Sequence, residues 1–110
     1  MRVTSEFFVS ALMRRVFASG GFAAIVRKGH AQAGAIFILA RNRAGDVTLY
    51  GPAPQSEVSD KDDRQFEIRL LNGTSDMADA LLAKEMRYDS DLYVVEIESD
   101  AIEGLIPLGG

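Results

Sequence analysis

Apolar residues recur at helical spacing near the start of the chain and then switch to strand spacing. Phe8, Val9, Leu12, Met13, Val16 and Phe17 span roughly half of a helical wheel, with Ser10 and Arg14 on the other side. Thr4 or Ser5 supplies an N-cap, Glu6 suits the positive end of the helix dipole, and Gly20-Gly21 stops the helix. The pattern predicts a helix over 5–18. Phe22 to Arg27 reads as a strand, 28–32 as a connecting turn, and Gly34 to Ala40 as the strongest strand of the chain. Asn42 to Gly45 makes a tight connection into a third strand over 46–50, so a three-stranded meander is expected.

Pro52 and Pro54 have no amide proton to give a ladder, so pairing stops there or lies on an edge. Glu57 to Arg64 reads as a polar, acidic loop. Gln65 to Leu70 alternates, which puts Phe66, Ile68 and Leu70 on one face. Asn72-Gly73 is a turn, and Thr74 or Ser75 caps a second helix whose apolar side is Met77, Ala78, Leu81, Leu82 and Met86. The helix ends at 88–91. Leu92 to Glu98 is the last strand, with Tyr93, Val95 and Ile97 on one face. The tail, 104–110, is weakly patterned and is expected to be poorly ordered. The sum is one α+β domain over 1–110. Its sheet is largely antiparallel, of about five strands, with two helices in the order α-β-β-β-β-α-β.

Residues 34–40 hold no polar side chain. Alternation sends Ala35, Phe37 and Leu39 to one face and Ile36 and Ile38 to the other, so the strand is expected to be central and covered on both sides. If both helices cover one face, the other needs the proline segment, the tail or a second copy of the chain. A homodimer is therefore one expectation for the partner.

Composition narrows the chemistry. The chain has 110 residues, 47% hydrophobic and 25% charged, which suits one globular domain and disfavours disorder. It has no cysteine, which excludes disulfides, zinc–thiolate sites, iron–sulfur clusters and thiol nucleophiles. His30 is the one imidazole, so a multi-histidine metal site cannot form within one chain. No apolar run approaches the roughly 20 residues that span a bilayer. The apolar stretch near the N-terminus has its arginines after it, the reverse of a signal peptide. A soluble, cytoplasmic protein is expected.

The net charge of −4 hides a split. Residues 1–43 carry seven cations and one anion, and residues 44–110 carry five cations and fifteen anions. The basic half could meet an anionic partner, or the halves could neutralise each other inside one sheet. The second reading is preferred. The aromatics fall mostly at core positions, which is unlike a nucleic-acid surface.

No residue earns a catalytic or metal role. His30 has neither an orienting carboxylate nor a nucleophile among its chain neighbours. Asp60-Lys61-Asp62-Asp63 lacks the glycine and terminal glutamate of a calcium loop, and Asp89-Ser90-Asp91 reads as a turn. There is no nucleophile elbow, P-loop or dinucleotide fingerprint. No cofactor is called for.

Four blocks carry a resemblance: 5–11 followed by Arg14-Arg15, 34–37, Leu49 to Ser56, and Arg87 to Glu98. Together they resemble a family of small bacterial proteins known as domain of unknown function 1491, across roughly residues 2–98. The resemblance implies a free-standing intracellular bacterial domain and brings no activity, cofactor or site residue with it.

The first functional expectation is a small non-catalytic binding or protein-interaction domain, acting on a protein partner or as a homodimer. The second is a ligand-binding or enzymatic domain with a pocket near Tyr50–Gln55, for which Tyr50, Gln55, Arg69, Arg87, Tyr88 and Asp89 are the polar candidates. The third is nucleic-acid binding through the basic half.

Overall fold

The computed structural model describes residues 3–54, 64–100, 102 and 104–109. Its elements are α1 (Ser5–Ala18), β1 (Phe22–Arg27), β2 (Ile36–Arg41), β3 (Val47–Pro52), β4 (Phe66–Gly73), α2 (Ser75–Tyr88) and β5 (Tyr93–Glu98). Each helix starts on a threonine. Thr4 Oγ1 accepts the Phe7 N–H at 3.1 Å and Thr74 Oγ1 accepts the Met77 N–H at 3.1 Å. The hairpin between β2 and β3 turns on Gly45, at φ +89°, with Asn42 Oδ1 accepting the Asp46 N–H. Among the described residues no helix is long and apolar enough to cross a membrane.

The five strands form one sheet in the order β1-β5-β2-β3-β4. β5 runs parallel to β2, and the other three pairings are antiparallel. The α+β class, the element order and the mainly antiparallel sheet agree with the sequence. The meander does not. β1 and β2 are not neighbours, because β5 lies between them. The meander is instead β2-β3-β4.

The segment 28–35 shows why. It is not a tight turn but a bracket around the start of β5. The His30 N–H reaches Asp91 O at 2.8 Å and the Tyr93 N–H reaches Ala35 O at 2.7 Å. The same segment holds α1, through the Glu6 N–H to Ala31 O at 2.8 Å and the buried Ser5 Oγ to Gly34 O. The gap so opened takes the strand that most needs cover. Tyr93, Val94, Val95 and Ile97 are all buried, whereas β1 buries Ala23 alone. A doubly apolar strand is stable only inside a sheet covered on both faces.

The two helices lie on opposite faces. α1 packs on β1 and β5, and its Val9, Leu12 and Val16 share a core with Ile36, Ile38, Val95, Ile97 and the tail residue Ile106. α2 packs on β3 and β4, and its Ala78 and Leu82 share a second core with Phe37, Leu39, Leu49 and Val94. β2 is therefore covered on both sides within one chain, and the inference of a second copy from residues 34–40 loses its basis.

Two local readings also change. β3 runs through Gly51 to Pro52, because its β2 ladder ends at Tyr50 while its β4 ladder continues to Pro52↔Phe66. The proline ends one pairing and not the other. In β4 the register shifts, with Tyr50 opposite Ile68 but Leu49 opposite Leu70. That bulge turns Leu70 to the α2 face, away from Phe66 and Ile68.

Candidate functional site

Two places on this frame hold features that the fold alone does not require. The first is the end of β3, where the sequence puts its polar candidates. Tyr50 points to the α1 face and packs against that core. Gly51 leaves room on the α2 face. A Cβ there would lie 2.8 Å from Phe37 Cε2 and 2.9 Å from Arg69 Cζ. Arg69 fills that space. Its guanidinium stacks 5.6 Å from the Phe37 ring centroid, bonds Pro52 O at 2.7 Å, and pairs with Glu67 at 3.0 Å and more loosely with Glu85 at 3.9 Å. Those contacts make it a strut between β3, β4 and α2. Arg87 and Tyr88 are exposed at the end of α2. Gln55 lies outside the described residues, as does the acidic run 60–63.

Of the candidates, Asp89 lines a cleft. That cleft, about 250 Å³, runs between the 33–36 segment, Pro52-Ala53 and Arg64 to Phe66. Asp89 Oδ1 accepts the Asp91 N–H at 2.9 Å. Arg64 stretches along it, donating to Val3 O at 3.1 Å with its guanidinium 5.9 Å from the Phe8 ring. The sequence placed Arg64 in the acidic loop. Only the fold brings it to Phe8, so no local signal could have found it.

His30 sits beside this cleft, in a shallower one of about 220 Å³ that it shares with Asp89 and Asp91. Its Nδ1 accepts the Ala33 N–H at 3.3 Å, a turn contact. The chain neighbours of His30 offer no carboxylate, but the fold brings two. Among the described residues no group of three or more histidines and carboxylates could hold a metal.

Four arginines of the basic half make contacts with the other half. Arg41 pairs with Glu96 at 3.4 Å, Arg43 with Asp100, Arg27 bonds Ser90 O, and Arg15 bonds Leu105 O. β1 and β2 of the basic half both border β5 of the acidic half, and Arg41 and Arg43, at and just past the end of β2, meet acidic partners from that half.

The second place is the β1 edge. A sheet of five strands has two free edges, each a row of unpaired amides and carbonyls. The β4 edge is covered at its start by the tail: the Phe66 N–H bonds Pro107 O and the Gly109 N–H bonds Phe66 O, both at 2.8 Å. β1 has no such cover among the described residues. It is also apolar on the outside. Phe22 is 53% exposed, Ile25 45% and Val26 59%. Phe17, at the end of α1, meets Phe22 edge-to-face with centroids 6.0 Å apart. Phe22 pairs with Glu98, on the face opposite Ala23 and α1, Val26 falls where the register to β5 shifts, and α2 stops short of β1. Residues 22–26 carry no charge, lysine or proline to guard the edge. That signal was present in the sequence, and the expected meander left it unread, since the order of the strands decides which one is an edge.

Comparison with known proteins adds identity without activity. No curated protein matches the chain. The solution structure of a protein from A. tumefaciens is 55% identical, with TM-score 0.89 over 98% of this chain and 95% of that one. The crystal structure of a DUF1491 family protein from Caulobacter crescentus CB15 is 29% identical, with TM-score 0.81 over the whole of both chains. An NMR structure of a DUF1491 family protein from the same organism gives TM-score 0.82 at 29% identity, over 100% of this chain and 99% of that one. The family model described as "Protein of unknown function (DUF1491)" matches residues 3–107, and the chain belongs to that family.

Proposed function

We propose that the protein is a small, non-catalytic interaction domain that binds a protein partner through the β1 edge. The observation that carries this is the contrast between the two edges. One is shielded by the chain's own tail, and the other presents Phe22, Ile25 and Val26 around an unpaired backbone. Natural sheets guard exposed edges with charge, proline or cover, and an unguarded apolar edge is where an extended strand adds. The polar candidates support the same reading from the other side. Arg69 is taken up in contacts that join three elements, and Arg87 and Tyr88 face solvent, so they do not converge on a substrate. The reading takes the protein as soluble and cytoplasmic, on its cysteine-free composition.

The test is a pull-down with the tagged chain, followed by cross-linking and mapping of the contact. A partner whose cross-links map to 22–26, and which a folded Val26→Lys variant fails to retain, supports the proposal. Equal retention by the variant, or contacts mapping elsewhere, overturns it.

A second reading, small-ligand binding, rests on the 250 Å³ cleft under Pro52-Ala53, where Asp89 and Arg64 stand on apolar walls.

A further inference from the structure

We infer that the strand the β1 edge receives is β1 of a second copy, in a two-fold antiparallel pairing centred on Ala24 that makes one ten-stranded sheet. The inference rests on the β1-edge reading and adds the partner and the register.

The register follows from what limits the strand at each end. Gly21 is fixed by its N–H bond to Val16 O at 2.9 Å, and a Cβ there would lie 2.5 Å from Glu98 O and 3.0 Å from Val16 Cγ1, which leaves no room for a side chain. At the other end the ladder to β5 shifts between Ile25 and Arg27, and Arg27 turns back to bond Ser90 O at 2.7 Å. The edge open to pairing is therefore 22–26, and its midpoint is Ala24. Directly opposed residues of an antiparallel pair share a face. About Ala24, Phe22 opposes the partner's Val26, and Ala23 opposes the partner's Ile25. The two most exposed apolar side chains of β1 thus meet twice across the edge. Ile25, on the α1 face, meets the small Ala23. Ala24, at the axis, meets its own copy with no bulk between the backbones.

The flanks fit as well. On α1, Phe8 faces the β4 side, where it meets Phe66, and Phe17 faces the β1 side, where it meets Phe22. Pairing brings the two copies' Phe17 side chains toward each other's β1. Lys28 of one copy comes beside Gly20 of the other, next to Glu98 at the end of β5. Neither Lys28 nor Glu98 has an ion-pair partner among the described residues. The two-fold supplies that contact twice. A strand edge with one flanking aromatic is a small interface, at the low end of about 1,200 Å² in total, so the dimer is weak and depends on concentration.

The absence of cysteine makes the test direct. Ala24→Cys puts a single thiol on the axis, where paired Cα atoms lie about 4.5–5.5 Å apart, within disulfide reach. Ala44→Cys, on the exposed β2–β3 hairpin, is the control. Under mild oxidation, Ala24→Cys is expected to form a covalent dimer roughly tenfold faster or more, as proximity raises the effective thiol concentration. Lys28→Glu or Glu98→Lys alone should slow that cross-link, and the two together should restore it. Equal rates for the two cysteine variants, or no rescue by the double charge swap, overturns the proposal. Sedimentation of the unaltered chain needs no variant: a reversible dimer that grows with concentration supports it, and a strict monomer overturns it. Failure here alongside a different protein cross-linked at 22–26 overturns self-pairing and leaves the edge reading standing. Failure of both removes both.

Discussion

Replacing Gly34 by alanine puts a methyl group into the bracket that seats β5. The new Cβ would abut Asp91 O and stand 2.8 Å from His30 O and 2.9 Å from His30 N. All three are backbone atoms held by their own hydrogen bonds, the His30 N–H to Asp91 O at 2.8 Å and the Gly34 N–H to His30 O at 3.0 Å. A flexible side chain could step aside, but this backbone cannot do so without giving up those bonds. Overpacking costs about 1–3 kcal/mol, and the rigid surroundings place Gly34→Ala near the upper figure. For a domain of this size that lowers Tm by about 10 °C. Gly45→Ala is the comparison. Its φ of +89° strains an alanine, but nothing lies within 4 Å of the added atom, so the cost is about 1–2 kcal/mol. Urea titrations followed by circular dichroism give both values, with unchanged slopes checking that the unfolding stays two-state. A Gly34→Ala cost within about 0.5 kcal/mol of the parent, or below that of Gly45→Ala, would refute the account of why β5 lies between β1 and β2.

Other outcomes follow from single contacts. Ser5 is fully buried and its Oγ donates to Gly34 O, so Ser5→Ala should cost about 1–3 kcal/mol in the same titration, since a buried carbonyl loses its donor. The Tyr93 hydroxyl is buried with no hydrogen-bond partner in the structure, so Tyr93→Phe should be neutral or stabilising by up to about 1 kcal/mol; a larger loss would mean the hydroxyl is bonded after all. The Arg43–Asp100 pair is exposed, so Arg43→Ala should change stability by no more than about 0.5 kcal/mol, and less at high salt. A filter-binding titration with duplex DNA should show no retention at moderate salt, because arginines of the basic half face carboxylates of the acidic half; salt-dependent binding would contradict that reading of the charge split.

What the sequence made legible was local. The bounds of α1 and α2, the threonine caps and the Asn42–Gly45 hairpin follow from nearest neighbours along the chain. The apolar run that buries β2 on both faces, and the alternation that puts Tyr93, Val95 and Ile97 of β5 on one face, could be read for the same reason. What it hid depended on contacts between distant segments. The insertion of β5 between β1 and β2 turns on the hydrogen bonds of 28–35 with 91–93, and those residues look like an ordinary turn. The bulge at Arg69 appears only in the register against β3. The candidate polar residues scattered for a related reason: proximity along the sequence put Tyr50 and Arg69 near one loop, and strand alternation with one bulge sent them to opposite faces. The unguarded character of 22–26 was legible as composition, but its meaning waited on the strand order.

Amide exchange followed by NMR as protein concentration rises tests the central claim most directly. Pairing of β1 with its copy predicts that amides within 22–26 gain protection with concentration, while those of β4 do not change. Exchange at 22–26 that is the same at every concentration would contradict it.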